Sequence, residues 1–408
     1  SSCPSLLVML MRSIRCLCVV GLSLQVNSEH ACSLNGDFVN GRCKCDPQWQ
    51  GDDCERLRLL PGNPAAGLQT QGELGVFSSW GGSVEQDGNG TYHMYASVME
   101  HECGLNAWRP NSAIGHSTSD RSPAGPYKLQ SIIKPHFAHS PEVVRGIDGS
   151  WLVYHVGAGA NDTKRCPDPN SPTCQYVTNC SRGITGPQHA WMDGLSFYGP
   201  FGILRASTPY GPWKSFDIAE CVDVPGCEPM PSRGFPGNGN DMNPAPLINK
   251  DGSVVLLWRS ILHFANGSGQ SYYASASAPA WNGTYNWSVT NLFPDFSWCH
   301  IEDGFLYKNT RGWHALFHSD CEKTSGGAAG GHAYSKDGVH WTFHAKNAYH
   351  NNITLEGQQQ WTLNRRERPK LILDSNGHIT HLINGVGLPG EGDHTFTFIQ
   401  AISQQPHD

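Results

Sequence analysis

The sequence predicts an all-β protein, a five-bladed β-propeller preceded by a small disulfide-rich module, and three observations carry that expectation. A hairpin signal recurs five times along the chain, a strand of small residues followed by an aromatic recurs behind four of those hairpins, and four cysteines crowd one short stretch ahead of the first repeat.

Composition agrees with many short strands. The 408 residues hold 46 Gly and 27 Pro, which supply turn dihedrals, and 13 Trp, 13 Tyr and 15 Phe, which favour strands. A hydrophobic content of 38 % is ample for a packed core and argues against disorder. The formal charge of -7 is mild, and no basic cluster interleaved with aromatics appears, so a nucleic-acid partner has no electrostatic footprint.

Residues 1–30 read as an upstream extension and a secretory signal peptide. Arg12 and Arg15 precede an apolar run from Cys16 to Leu24 that is too short to span a bilayer, a signal anchor from Leu6 being the alternative. Removing this region takes away Cys3, Cys16 and Cys18 and leaves an even number of cysteines, as an oxidising compartment requires. Glycosylation sequons at Asn89, Asn161, Asn179, Asn266, Asn282, Asn286 and Asn352 point the same way. The expectation is a secreted, extracellular glycoprotein with no membrane span in the mature chain.

Residues 31–57 contain Cys32, Cys43, Cys45 and Cys54 with almost no aliphatic core, so covalent staples must hold them. The closing pattern, C-x-C followed by an aromatic, Gly and a last Cys, resembles the second half of an epidermal-growth-factor-like (EGF-like) module. That resemblance implies pairs Cys32–Cys43 and Cys45–Cys54, and a spacer or extracellular protein contact rather than catalysis. A Pro/Gly/Gln-rich linker is expected over 58–72, and the propeller over 73–403.

Within the propeller, Asp87-Gly88, Asp148-Gly149, Asp251-Gly252, Arg311-Gly312 and Asn376-Gly377 each separate two strand-like runs, such as PAPLINK and SVVLLWR. The spacing is about 60 residues, with one long interval that holds a Cys/Pro-rich insertion. Behind four hairpins come HSTSDRSPAGPY, RASTPYGPW, ASASAPAWNGTYNW and AYSKDGVHW. The fifth unit lacks such an outer strand, so the segment around Leu74 to Ser78 is expected to complete it and close the ring.

First strands of propeller blades line the central channel. Here they begin SWGGSV, HSPEVV, DMNPAP, IEDGFL and ERPKLI, which brings Glu302, Glu367, Asp241 and Asp303 toward one funnel. Carboxylates beside Trp are what glycoside hydrolysis needs: an acid for the leaving oxygen and a base or nucleophile across the bond. The repeat resembles the five-bladed propeller glycosidases of families 43, 32 and 68, family 43 above all. The resemblance implies an arabinofuranosidase- or xylosidase-like hydrolase acting on a polysaccharide or glycan, with Glu302 as general acid; with no carboxylate at the start of blade one, the base is expected from another blade, Glu367 or Asp241 facing Glu302. Two positions depart from that pattern: Gly81 stands where the family has a base or nucleophile Asp, and Asn243 where it has a second Asp. The alternatives are a noncatalytic carbohydrate-binding protein and an extracellular structural or adhesion module.

Trp80, His139, Asn243, Asp303, His318 and Arg366 are the candidate substrate contacts. Arg366 and Arg368 are also placed to pair with Glu302 or Glu367, because an adjacent cation favours the carboxylate. His314 and His318 have helical spacing, but on a strand four residues span about 13 Å, so they do not share one ion. No zinc motif is present, no cofactor is required, and a structural cation in the channel is an option the pattern leaves open. Local disulfides are expected for Cys221 with Cys227 and Cys299 with Cys321, and a pair between Cys103 and the insertion cysteines Cys166, Cys174 or Cys180.

Overall fold

The structure is a computed structural model that describes residues 32–120, 122–135, 137–157, 202–218, 242–263, 269–288, 291–322 and 329–407. The signal region, Asp241, Cys166, Cys174, Cys180, Cys221, Cys227, Asn161, Asn179 and Asn266 lie outside the described residues.

Five antiparallel sheets form the five blades. Ahead of them stand β1 (Gly36–Val39), β2 (Arg42–Cys45), β3 (Trp49–Gln50) and β4 (Arg56–Leu57). Blade one is β5 (Ser78–Gln86), β6 (Tyr92–Met99), β7 (Ser112–Ser119) and β8 (Lys128–Lys134). Blade two is β9 (His139–Arg145), β10 (Trp151–Val156), β11 (Gly202–Ala206) and β12 (Lys214–Asp217). Blade three is β13 (Met242–Ile248), β14 (Val254–His263), β15 (Gly269–Ala278) and β16 (Asn286–Ser288). Blade four is β17 (Ile301–Lys308), β18 (Trp313–Ser319), β19 (Ala329–Ser335) and β20 (Thr342–Tyr349). A small hairpin of β21 (Asn352–Thr354) and β22 (Gln360–Thr362) leads to blade five, β23 (Arg365–Leu373), β24 (Ile379–Gly387) and β25 (Phe396–Ala401).

All five predicted hairpins join the first two strands of a blade. In each, one Asp or Asn side chain accepts the backbone N–H two residues on: Asp87, Asp148, Asp251, Asn309 and Asp374, at 2.8–3.0 Å. This is why the turns were visible in sequence, since the short acidic or amide side chain builds the turn locally.

Each blade buries both faces against its neighbours, so second strands such as Trp151–Val156 are apolar throughout rather than alternating. Separate core clusters fill the gaps. Tyr95 and Ile114 meet Val143 and Trp151 between blades one and two, and Tyr154 and Ile203 meet Leu256 and Trp258 between two and three. Leu257 and Tyr273 meet Leu306 and Phe317 between three and four. Cys299–Cys321 staples blade four where its first two strands begin and end.

The ring closes differently from expectation. Leu68, not the Leu74–Ser78 stretch, pairs with the edge of β25 at Thr397, with N···O distances of 2.9 and 3.3 Å, and Leu59 bridges Ile402. Residues Glu73–Gly75 instead form a short 3-10 turn, with Gly72, Leu74 and Gly75 at positive φ. Burial explains the choice: Leu68 is enclosed with Val84 and Ile399, whereas Leu74 is exposed. Residues 58–72 therefore run along β25 rather than free of it.

The N-terminal disulfides are Cys32–Cys43 and Cys45–Cys54, as expected. The module is not a detached spacer. Cys32, Trp49, Cys54 and Leu57 share one core with Phe305, Tyr307, Leu316 and Leu382 of blades four and five, and Arg311 pairs with Asp46 at 2.8 Å and Asp37 at 2.6 Å. Among the described residues no helix is long and apolar enough to cross a membrane.

Candidate active site

Every inner strand carries the same irregularity. The pairing register shifts between Trp80 and Ser83, between Met242 and Ala245, between Glu302 and Phe305, and between Glu367 and Lys370, with the matching shift in blade two opposite Tyr154 and Val156. The residue at each shift has left-handed backbone: Gly81 (φ 61°), Ser140 (55°), Asn243 (60°), Asp303 (59°) and Arg368 (54°). A non-glycine residue there costs about 1–3 kcal/mol, and such strain collects at functional sites.

The five bulge residues form one network around the axis. Arg368 reaches from blade five to the Ser140 hydroxyl on blade two and lies 3.6 Å from Asp303 on blade four. The Asn243 amide donates to the same Asp303 carboxylate. On blade one the absent side chain of Gly81 leaves room for Arg368, whose Cβ would lie 2.8 Å from a Cβ at position 81. Beneath them Lys370 pairs with the buried Glu142 and donates to the Gly304 carbonyl at 2.8 Å. What remains is a cavity of about 10 Å³ lined by Trp80, Ser140, Asn243, Asp303, Arg368 and Lys370. It has room for about one water, so anything larger has to sit above this ring of side chains.

Glu302 and Glu367, the residues just before the bulges of blades four and five, stand at that upper level with side chains 22 % and 17 % exposed. Oxygens of Glu302, Asp303 and Glu367 and a nitrogen of His318 all lie within 4.8 Å of one another. Burial alone would raise the Glu302 carboxyl, but hydrogen bonds from His300 and His318, both at 3.2 Å, and Arg259 at 3.1 Å hold it well below the usual range. Glu367 is shifted upward, mainly by burial, with Asp303 and Glu302 adding to the shift and His318 and Arg365 opposing it. Burial would lower His318, but Glu302, Glu367 and Asp303 together raise it. Two neighbouring carboxyls are thus shifted in opposite directions.

The other candidates sort differently. Asn243 and Asp303 are buried and bonded to each other, and Trp80, 2 % exposed, lines the small cavity without an open face for stacking. His139 is enclosed, stacked on Trp108 at 4.7 Å and bonded to the Ser112 hydroxyl. Arg366 does not pair with Glu302 or Glu367 as expected. Its guanidinium is wholly buried on Asn384, Gln400 and the His350 carbonyl at 2.7–2.9 Å, because the β23 bulge breaks strict alternation and sends Arg366 and Arg368 different ways. Sequence reasoning missed Arg259 and His300. His300 stands two residues before Glu302, a spacing that places both on one face of an extended chain. Arg259 comes from blade three and left no local signal.

The group Glu302, Asp303, His318 and Glu367 has the donor types for a divalent cation. The same carboxylates already face Arg259, Arg365 and Arg368, so their charge is balanced by the chain itself.

No family model matches the chain, and no curated protein matches it. Solved structures do match, several glycoside hydrolases among them. The α-L-arabinofuranosidase of Podospora anserina solved with cellotriose has a TM-score of 0.55 at 11 % identity, covering 88 % of this chain and 98 % of that one. The catalytic domain of the family 62 α-L-arabinofuranosidase of Coprinopsis cinerea has 0.54 at 12 %, covering 85 % and 96 %. A thermostable family-43 glycoside hydrolase has 0.51 at 12 %, covering 86 % and 98 %. The chain therefore has the five-bladed propeller fold of these enzymes, and at such identities the likeness is one of fold.

Proposed function

We propose that this chain is a secreted glycoside hydrolase that cleaves a polysaccharide or glycan above the axial ring, with Glu367 as proton donor and Glu302 as the ionised carboxylate. The observation that carries the proposal is the paired environment: Glu302 is kept charged by Arg259, His300 and His318, while Glu367, with oxygens within 4.8 Å of it, is pushed toward the protonated form. Glycoside hydrolysis asks for that division of labour, and a carboxyl separation of about 5 Å suits retention of configuration. The roles differ from those implied by the family resemblance, in which Glu302 is the acid; His300, His318 and Arg259 are what disfavour a proton there. The solved neighbours that act on arabinose-containing glycans support the substrate class. Three described disulfides and four exposed sequon asparagines, Asn89, Asn282, Asn286 and Asn352, support an extracellular setting.

A second reading, a noncatalytic glycan-binding protein, is favoured by one observation: Arg368 packs over Gly81, and the bulge triplet of blade one, Trp80-Gly81-Gly82, carries no carboxylate. Incubation of the purified glycosylated protein with arabinan, xylan, galactan, fructan and algal polysaccharides separates the two. Released reducing ends that disappear in both Glu302→Gln and Glu367→Gln support the hydrolase. Retention of one glycan with no release from the unaltered protein overturns it in favour of binding.

A further inference from the structure

Between blades two and three, at their first hairpins and the outer strands beside them, lies a surface cavity of about 520 Å³ that shares no residue with the axial site. Its apolar wall is Ile147, Phe216 and Trp281, and its polar rim includes Asp148, Arg205 and Asn282. Ile147 is 70 % exposed and Phe216 38 %, and here the two stand on one wall with Trp281 rather than singly. The wall is nonetheless ordered. Phe216 meets Trp281 edge-on with centroids 5.2 Å apart, the Tyr285 hydroxyl donates to the Trp281 carbonyl at 3.1 Å, and the Arg205 guanidinium stands 5.6 Å from the Trp281 ring.

The residue beside this wall heads an N-glycosylation sequon. Asn282 is exposed in a turn closed by the Gly283 N–H on the Ala280 carbonyl at 2.9 Å, and Asn282-Gly283-Thr284 is a complete sequon. An N-acetylhexosamine has an apolar ring face and an acetamido methyl that suit aromatic side chains, with hydroxyl edges that suit Asp148 and Arg205. A sugar tethered at the cavity edge needs little intrinsic affinity, because its effective concentration there is high.

We propose that a glycan linked to Asn282 lays its first sugars in this cavity, over Trp281, Phe216 and Ile147, so that the chain's own carbohydrate covers the apolar patch. The molecule holds an internal control: Asn89-Gly90-Thr91 is the same triplet at the exposed tip of the first hairpin of blade one.

The test is to produce the full chain in a eukaryotic secretory host, weigh the peptides carrying Asn89 and Asn282, and follow removal of each glycan from the native protein by an amidase. The expected result is a modified Asn282 whose glycan is released about tenfold more slowly than that of Asn89, the size of one aromatic contact. Phe216→Ser should abolish the difference, and it changes a side chain at the rim rather than the core, so the fold survives; denaturation should abolish it as well. An unmodified Asn282, or equal release from the two native sites, overturns the proposal. No arm of this experiment reads hydrolysis, so its outcome is independent of the chemistry assigned to Glu302 and Glu367.

Discussion

At the start of blade four the chain reads Glu302-Asp303-Gly304, and at the start of blade one it reads Trp80-Gly81-Gly82. Both triplets sit at the same bulge with the same left-handed residue in second place. Behind each bulged strand stands a buried pair of stacked histidines, His93 with His116 at 2.9 Å and His314 with His332 at 3.1 Å. One blade presents two carboxylates to the axis and the other presents none. The scaffold is therefore indifferent to chemistry: the bulge fixes where a side chain is delivered, and residue choice alone decides what is delivered. Gly81 is not simply a loss, since Arg368 fills the space it vacates and ties blade five to blade two.

The largest effect that would break this comparison lies at the bulges of blades four and five. Glu302→Gln and Glu367→Gln are each expected to lower kcat/KM by about 10²–10⁴-fold, the range for removing a proton-transfer group or its partner. The pH profile separates the roles. With Glu367 raised and Glu302 lowered, the basic limb belongs to Glu367 and the acidic limb to Glu302, so Glu367→Gln should remove the basic limb alone. A basic limb that survives in Glu367→Gln would show the acid to be another group.

The histidine pairs sharpen the comparison next. Burial pulls His116 down to about 4, with His93 adding, and His314 down to about 3, with Arg311 adding. Below the ordinary value near 6.5 the unfolded chain takes up protons the folded chain refuses, so stability is full above that pH and falls as pH drops. The slope is about 1.4 kcal/mol per pH unit per histidine, levelling off near the folded value. Glu142, pushed up to about 7 by burial, works in the opposite sense, so the readout is the difference between variant and parent. His116→Phe should flatten the denaturant-melt profile between about pH 6.5 and 4, and His314→Phe should extend the flattening lower. Parallel profiles for variant and parent would show that these rings titrate normally.

How much of this was legible follows from the range of each signal. The five hairpins were readable because Asp or Asn with a nearby Gly encodes each turn within four residues. Both module disulfides were implied by the resemblance of the closing C-x-C, aromatic, Gly and Cys pattern to an EGF-like module. The ring closure was not, since Leu68 and Leu74 are both apolar and only the folded edge of β25 decides which is buried. The blade starts located Glu302 and Glu367. Their opposite pKa shifts were not legible, because that of Glu302 depends on Arg259, from another blade, and on two histidines, one next to the strand and one across it. Arg366 misled because strand alternation gives it the same face as Arg368, and the bulge between them cancels that rule.

Gly81 itself supplies a smaller effect. At φ 61° an alanine pays for left-handed backbone and meets Arg368 Cβ at 2.8 Å, so Gly81→Ala is expected to cost about 1–3 kcal/mol. If Arg368 has taken over the empty place on blade one, Arg368→Gly in the same chain should recover part of that cost, giving a coupling above about 0.5 kcal/mol in a double-mutant cycle. Strict additivity would show that the two blades are independent there.

The smallest expected effect tests why blade four, and not blade one, carries the N-terminal module. The hairpin of blade four offers Arg311 to Asp37 and Asp46, and its third strand brings His332 to 4.9 Å from Trp49. Beneath these charges lies the shared core of Trp49, Leu57, Tyr307 and Leu316. Arg311 is 29 % exposed and Asp37 is mostly exposed, so the pairs are screened, and Arg311→Ala should cost about 1 kcal/mol at low salt and less at high salt. Equal stability of Arg311→Ala and parent at both salt levels would mean that the apolar core alone docks the module. The charges would then set its orientation rather than its strength.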